Sequence, residues 1–256
     1  MNSKGQQQHP QQQKGAWVII DKPTGMRCMA VTNGVRKALG VKKAGHAGTL
    51  DPLAEGILPI ALGKATKSIA EVVSQRKAYR FVVRWGIGTD TLDAEGDVIE
   101  SDDVRPSKEQ IIEAMRGFHG VIRQHPPLFS ALRVQGVRAH ALAREKTALE
   151  LLPREVTLYE LHLEEQDSES ATFFCLCGQG FYVRALARDL GKAVGGCAHI
   201  TALRRVAVGG IDGQDAIGYQ ELWDLCKQGR GQEAVLSMAE MTKKLYKKVA
   251  KDAPIL

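Results

Sequence analysis

"GHAGTLDPLAEGILPIALGKATK", residues Gly45–Lys67, sets one aspartate, Asp51, between Leu50 and Pro52 in a run of small residues. Gly45, Gly48 and Gly56 permit positive φ and close approach of another backbone. Pro52 biases Asp51 away from the helical region and fixes the next φ. The aspartate therefore stands in a stiff frame. Two readings are open for it: a turn or helix cap, the usual task of a loop aspartate, or a carboxylate held out for chemistry.

Outward from this loop, short elements alternate. WVIID (17–21) reads as a strand broken by Lys22-Pro23-Thr24-Gly25. MAVTNGVRKAL (29–39) spaces Val31, Val35, Ala38 and Leu39 as a helix stopped by Gly40. ILPIAL (57–62) reads as extended and TKSIAEVVS (66–74) as a short helix. In KAYRFVVRW (77–85), Tyr79, Phe81, Val83 and Trp85 share one face of a strand. Ser107 and Gln110 form a capping box that starts a helix. HPPLFSALRVQGVRAHALARE (125–145) reads as a loop, a short strand and a helix. REVTLYELHLEE and ATFFCLCG give two meander strands, FYVRALARDLGKAV (181–194) a helix, and LRRVAVGG (203–210) a last strand. Many strands without a strict βαβ rhythm predict an α+β fold, with a mixed, mostly antiparallel central sheet and flanking helices.

The formal net charge of +6 directs attention to a polyanion, nucleic acid first. Five cysteines without a C-x-x-C pair argue against zinc or thioredoxin-type chemistry. Their odd number fits a reducing, cytoplasmic compartment. No apolar run approaches the roughly 20 residues of a membrane span. Residues 1–15, Gln-rich with no aliphatic beyond Met1, predict a disordered tail. Monomer is the default, since no coiled-coil heptad is present.

Common motifs fail. Before Gly63-Lys64 the preceding glycine is Gly56, and Ala65 follows, so the phosphate-loop spacing is broken. Gly86-Ile87-Gly88 lacks the third glycine of a dinucleotide fingerprint. No G-x-S-x-G occurs, and His46 has no second histidine within a helical turn.

The opening stretch resembles the signature of the TruB-type tRNA pseudouridine synthases, G-H-x-G-T-L-D-P-x-A-x-G-x-L-P followed by G-x-A-T-K. "DKPTG" (21–25), "KAYRF" with "GTDTLDAEGD", "QHPPLFSALRVQGVRAHALARE", "GFYVRALARDLG" and "AHITALRRVAVG" resemble the family's other blocks, in order, over about residues 16–215. The resemblance implies a pseudouridine synthase catalytic domain over 16–215. Residues 216–256 are expected as a short basic extension, too short for the carboxy-terminal PUA domain that many members carry. It further implies isomerisation of uridine 55 in the T-loop of tRNA, without metal or nucleotide cofactor.

That reaction breaks the bond from C1′ to N1 and remakes it from C1′ to C5. One carboxylate can attack C1′ or take a proton from C2′; motif position assigns this to Asp51. Arg184 matches the arginine that keeps such an aspartate ionised, although alone it would be taken as a surface charge. Tyr79 matches the tyrosine that stacks on the flipped uracil and is proposed to help remove the C5 proton; it is also a plausible core aromatic. Tyr182 and Leu203 match pocket-lining positions, and His46 one placed against the RNA. Lys22, Lys64 and Arg205, with Lys42, Lys43, Arg80, Arg133, Arg138, Arg144 and Arg204, could meet phosphates. The sequence departs from the family pattern at Glu55, Phe129, Gln179 and Phe181, and in "GMRCMAV", but keeps Asp51, Tyr79 and Arg184. The alternative is a non-catalytic RNA-binding or tRNA-folding protein on the same scaffold.

Overall fold

The structure, a computed structural model, describes residues 15–130, 133–134, 137–138 and 151–247. The Gln-rich tail expected over 1–15, except Gly15, and the helix expected at the end of 125–145 lie outside the described residues, as does Arg144.

Along the chain, β1 (Ala16–Lys22) leads to helix α1 (Cys28–Ala38), then β2 (Ala44–His46) and β3 (Glu55–Leu62). A 3-10 turn, Gly63–Ser68, continues into α2 (Ile69–Ser74). Next come β4 (Lys77–Trp85), the hairpin β5 (Ile87–Thr89) and β6 (Val98–Ser101), α3 (Lys108–Met115) and β7 (Gly120–Gln124). The two-residue strands β8 (Arg133–Val134) and β9 (Val137–Arg138) pair with each other. They precede β10 (Arg154–Gln166), β11 (Ser170–Cys177), α4 (Val183–Ala193) and β12 (Ala198–Val208). The chain then adds β13 (Ile217–Gly218), α5 (Tyr219–Lys227), β14 (Leu236–Ser237) and α6 (Met238–Leu245).

These elements form two compact units, one of described residues up to Lys77 and from Arg204 onward, the other of Ala78–Leu203. In the first unit β1 runs antiparallel to β3 and to β14 and parallel to β13. β2 is antiparallel to β3, and Arg204 and Arg205 of β12 pair in parallel with Glu55 and Gly56 of β3. Trp17, Ile19, Ile57, Ala61, Val72, Val208, Ile211, Met241 and Leu245 fill its core. The segment after 215, expected as a basic extension, is ordered into elements as far as α6; its β13 and β14 both pair with β1.

In the second unit β4, β11, β10 and β7 lie side by side in that order, β10 being antiparallel to both of its neighbours. Phe81 of β4 stacks on Phe173 of β11 at 5.4 Å, and Trp85 meets the same ring edge-on at 6.3 Å. Each such aromatic pair adds about 0.5–1.5 kcal/mol beyond burial. α3 begins at the expected capping box, with Gln110 N donating to Ser107 Oγ and Ser107 N to Gln110 Oε1. The α+β class with a mixed, mostly antiparallel sheet holds.

Candidate active site

The Asp51 loop is held through its backbone almost residue by residue. Arg205 donates from Nε to the Ile57 carbonyl at 2.7 Å and from a terminal nitrogen to the Gly48 carbonyl at 3.1 Å. Cys28, in the first turn of α1, bonds Leu50 twice: the Leu50 N–H donates to Sγ at 3.1 Å and the thiol donates to the Leu50 carbonyl at 3.2 Å. The Asp51 carbonyl accepts from Ala54 N at 3.1 Å, closing a turn. The Pro52 carbonyl accepts from Gly25 N at 2.8 Å, and Thr24 Oγ1 donates to the Leu53 carbonyl at 2.8 Å. Gly56 sits at φ +99°, where a Cβ would stand 2.3 Å from the Arg205 carbonyl oxygen. Glycine is therefore required at that close approach. The result is a half-buried Asp51 on a loop whose backbone has little freedom.

Lys22, expected at a phosphate, is instead wholly buried. Its ammonium donates to the carbonyls of Pro23 at 2.9 Å, Met26 at 2.7 Å and Pro52 at 3.3 Å. It thus ties the turn after β1 to the residue following Asp51. Arg205 is likewise buried, at 1% exposure, and its donors serve the loop backbone. Both corrections have one cause: a buried cation must find acceptors, and backbone carbonyls supply them. Lys64, Lys42 and Lys43 are exposed. Arg80 is engaged by Glu164 at 2.6 Å, and Arg204 by Asp21 at 2.6 Å and Glu55 at 3.2 Å.

His46, at the end of β2, is half-buried; its Nδ1 lies 3.1 Å from Thr32 Oγ1. Burial, with the charge of Arg205 second, holds its imidazole below the usual histidine range. Burial pushes the Cys28 thiol up, so it stays protonated and keeps its donor to Leu50.

In the second unit Tyr79 closes the buried row of β4 and is itself only half-buried, unlike Phe81 and Trp85. Tyr182 occupies the N-cap position of α4 with extended backbone. Gln124, 1% exposed, reads both of its backbone groups: the Tyr182 N–H donates to Oε1 at 3.0 Å, and Nε2 donates to the Tyr182 carbonyl at 3.2 Å. Two residues on, Arg184 is buried in the first turn of α4. Its guanidinium is 3.3 Å from Asp93, and donates to the carbonyls of Thr91 at 2.6 Å and Phe129 at 2.9 Å. Asp93 in turn accepts from Thr91 Oγ1 at 2.6 Å and from Glu95 N at 3.1 Å. Between them Leu92 takes the left-handed conformation, φ 63°, unusual for leucine and a sign of imposed geometry. Leu203, on β12, is buried.

Asp51, His46, Lys22, Lys64 and Arg205 therefore belong to the first unit, and Tyr79, Tyr182 and Arg184 to the second, with Leu203 at its last residue. Sequence reasoning missed Asp93, Gln124, Cys28 and Thr32. The polar Gln124 directly before His125-Pro126-Pro127 was the one available hint, since a glutamine buried at a strand end needs a partner. Among the described residues no three His, Cys, Asp or Glu side chains group as a metal site, and no helix is long and apolar enough to cross a membrane.

Two family models match this chain. One, for the N-terminal domain of TruB family pseudouridylate synthases, covers residues 36–183; the other, for the C-terminal domain of tRNA pseudouridylate synthase B, covers residues 184–242. The tRNA pseudouridine synthase B of Caulobacter vibrioides is 46% identical over 221 residues, which is 86% of this chain and 71% of that protein. That of Bradyrhizobium diazoefficiens is 46% identical over 224 residues, 87% of this chain and 65% of its own. Among solved structures, the Cbf5-Nop10-Gar1 complex contains a chain similar at TM-score 0.70 and 26% identity, over 88% of this chain and 60% of that one. An H/ACA RNP bound to a substrate RNA contains a chain similar in fold, at TM-score 0.68 and 24% identity, over 90% of this chain and 61% of that one.

Proposed function

The chain belongs to the TruB family of pseudouridylate synthases, and on that premise we propose that it isomerises uridine 55 in the T-loop of tRNA to pseudouridine, with Asp51 acting at the ribose. The observation that carries this reading is the immobilised loop. Arg205, Cys28, Gly25 and Thr24 bond the backbone at Gly48, Leu50, Pro52 and Leu53, which fixes the position from which the Asp51 side chain extends. Holding one reactive group in advance converts binding energy into rate, because the cost of orienting it has been met during folding.

The target uridine leaves the stack of the T-loop, as a base must when its glycosidic bond is to react. Asp51 attacks C1′, or takes the C2′ proton; either route breaks the bond from C1′ to N1. The uracil turns and C5 bonds to C1′, as the Asp51–C1′ ester breaks on the first route or as the proton returns to C2′ on the second; the C5 proton is then removed while N1 gains one. Tyr79 stacks on the uracil and assists at C5. Tyr182 and Leu203 line the nucleotide, Arg184 supplies the cation, and His46 contacts the RNA. Lys64, exposed on the 3-10 turn after β3, meets a phosphate.

An unmodified T-loop stem incubated with the protein, followed by pseudouridine mapping, tests activity and position together. Asp51→Asn is expected to abolish conversion while RNA binding stays within a few-fold. Turnover by that variant removes Asp51 from the chemistry. Binding without conversion by the unaltered chain favours the non-catalytic RNA-binding alternative.

A further inference from the structure

The contact between Thr32 and His46 has a fixed proton count. Thr32 Oγ1 lies 2.7 Å from the Cys28 carbonyl, one turn back in α1, and 3.1 Å from His46 Nδ1. A carbonyl only accepts, so the first contact consumes the single hydroxyl proton of Thr32. The second contact then needs its proton from the ring, and Nδ1 is the donor. Thr32 is 2% exposed on a helix, where a threonine hydroxyl readily bonds the carbonyl of the preceding turn, so this arrangement is held firmly. In a neutral imidazole a proton on Nδ1 leaves Nε2 as a bare acceptor. That nitrogen has no hydrogen-bond partner among the described residues, and the ring is only half-buried.

We propose that Thr32 is a positioning residue that locks His46 in the Nδ1–H tautomer, so that Nε2 presents a hydrogen-bond acceptor to a donor on the RNA. This rests on the reading that His46 contacts RNA. The donor is a ribose 2′-hydroxyl or a base N–H; both carry the same chemistry toward a nitrogen lone pair. A neutral acceptor offers nothing to a phosphate oxygen. His46 is therefore a reader of sugar or base, in contrast to the exposed lysine at 64, and it takes part in telling RNA from DNA if the donor is the 2′-hydroxyl. Burial and the nearby Arg205 charge favour the neutral ring that this role requires.

The test is two-bond nitrogen–proton NMR on the full chain with labelled histidine, the His46 signal being identified by its loss in His46→Gln. Expected is a protonated Nδ1 and an unprotonated Nε2; an Nε2–H ring in the unaltered protein overturns the proposal. Adding the unmodified T-loop stem is expected to move the Nε2 resonance. Stems carrying single 2′-deoxy substitutions, or single N-methylated bases, then identify the donor by abolishing that movement. If the stem is bound and converted but Nε2 never responds, the acceptor role is overturned while the proposed function stands. If the tautomer is as expected but the stem is neither bound nor converted, the proposed function fails and the ligand half of this inference with it.

Thr32→Val is expected to release the ring to the Nε2–H form. It should raise KM for the stem by about 3–10-fold, one neutral hydrogen bond's worth, with kcat nearly held. Thr32→Ser is expected to restore both the tautomer and the KM. Failure of serine to rescue means that Thr32 acts through packing alone, which also overturns the assignment.

Discussion

The Arg184 guanidinium stands 3.3 Å from the Asp93 carboxylate, with both side chains at 6% exposure or less. Asp93 is itself fixed by Thr91 Oγ1 and Glu95 N, so the arginine is aimed by a turn that cannot easily move. Asp93→Asn keeps the volume and one acceptor oxygen but removes the charge facing a buried cation. Breaking one side of such a pair costs about 3–5 kcal/mol, and urea unfolding is expected to register a loss near the lower end, since Arg184 retains the Thr91 and Phe129 carbonyls. The fall in kcat on a T-loop stem is expected to be about 100-fold, the scale for a misplaced active-site group. Unchanged kcat in a folded variant removes Arg184 orientation from the mechanism.

Gln124 acts as a surrogate strand partner for Tyr182, matching one donor and one acceptor to its backbone. Gln124→Glu keeps the acceptor but brings a carboxylate to the Tyr182 carbonyl. Burial and that carbonyl raise the pKa of the new acid in the folded state above its unfolded value of about 4.3. A raised pKa contributes its full stability below the unfolded value and loses it as pH rises through the folded one. The variant is therefore expected to be closer to the parent at pH 5 than at pH 8, by about 1–3 kcal/mol in urea unfolding. A deficit that is equal at both pH values contradicts the two-bond clamp.

Lys22 and Lys64 look alike in composition and differ in role. Lys22→Met leaves the Pro23, Met26 and Pro52 carbonyls without that donor and is expected to cost about 3 kcal/mol, while the dependence of RNA affinity on salt keeps its slope. Lys64→Gln is expected to leave stability alone and reduce the slope of log K against log salt by about 0.7–0.9. Binding measured at several salt concentrations separates the two; the reverse pattern refutes the assignment of Lys22 to the loop.

The elements that were readable in the sequence are those whose information is local. The alternation in Lys77–Trp85 returned β4 with its bounds, and Ser107 with Gln110 gave the start of α3. β12 begins at Ala198, five residues before the expected start, because AHITA carries no clean alternation of its own. β13 and β14 were not seen at all: two residues have no period, and both exist by backbone pairing to β1. The same division runs through the site. The constrained loop around Asp51 was legible from its glycines and Pro52. Asp93 and Gln124 were not, because their partners lie 91 and 58 positions away. Lys22 and Arg205 were expected at phosphates, since lysine and arginine are almost never fully buried unless paired; here backbone carbonyls take that part, local ones at Pro23 and Met26 and a distant one at Pro52 for Lys22, and only distant ones, at Ile57 and Gly48, for Arg205.

The Asp102 carboxylate gives the acid limb of stability a specific origin. It accepts from the Cys197 N–H at 2.7 Å and the Val104 N–H at 2.8 Å, at the entry to β12. The Cys197 side chain first, then the Val104 N–H, hold its pKa below the usual aspartate value. Burial, then the same carboxylate, push the Cys197 thiol up to about 11, so the thiol stays protonated through the neutral range. A depressed carboxylate pKa favours the folded state fully above the unfolded value of about 3.9, and that contribution is lost as pH falls through the folded value. Asp102→Asn is therefore expected to lower the urea midpoint by a constant amount between pH 5 and pH 8, with the difference from the parent shrinking below about pH 4. The variant's Cys197 thiol is expected to react faster with iodoacetamide at pH 9, because its pKa falls when the carboxylate is gone. A stability difference that persists undiminished at pH 3 means that Asp102 acts through shape and not through charge.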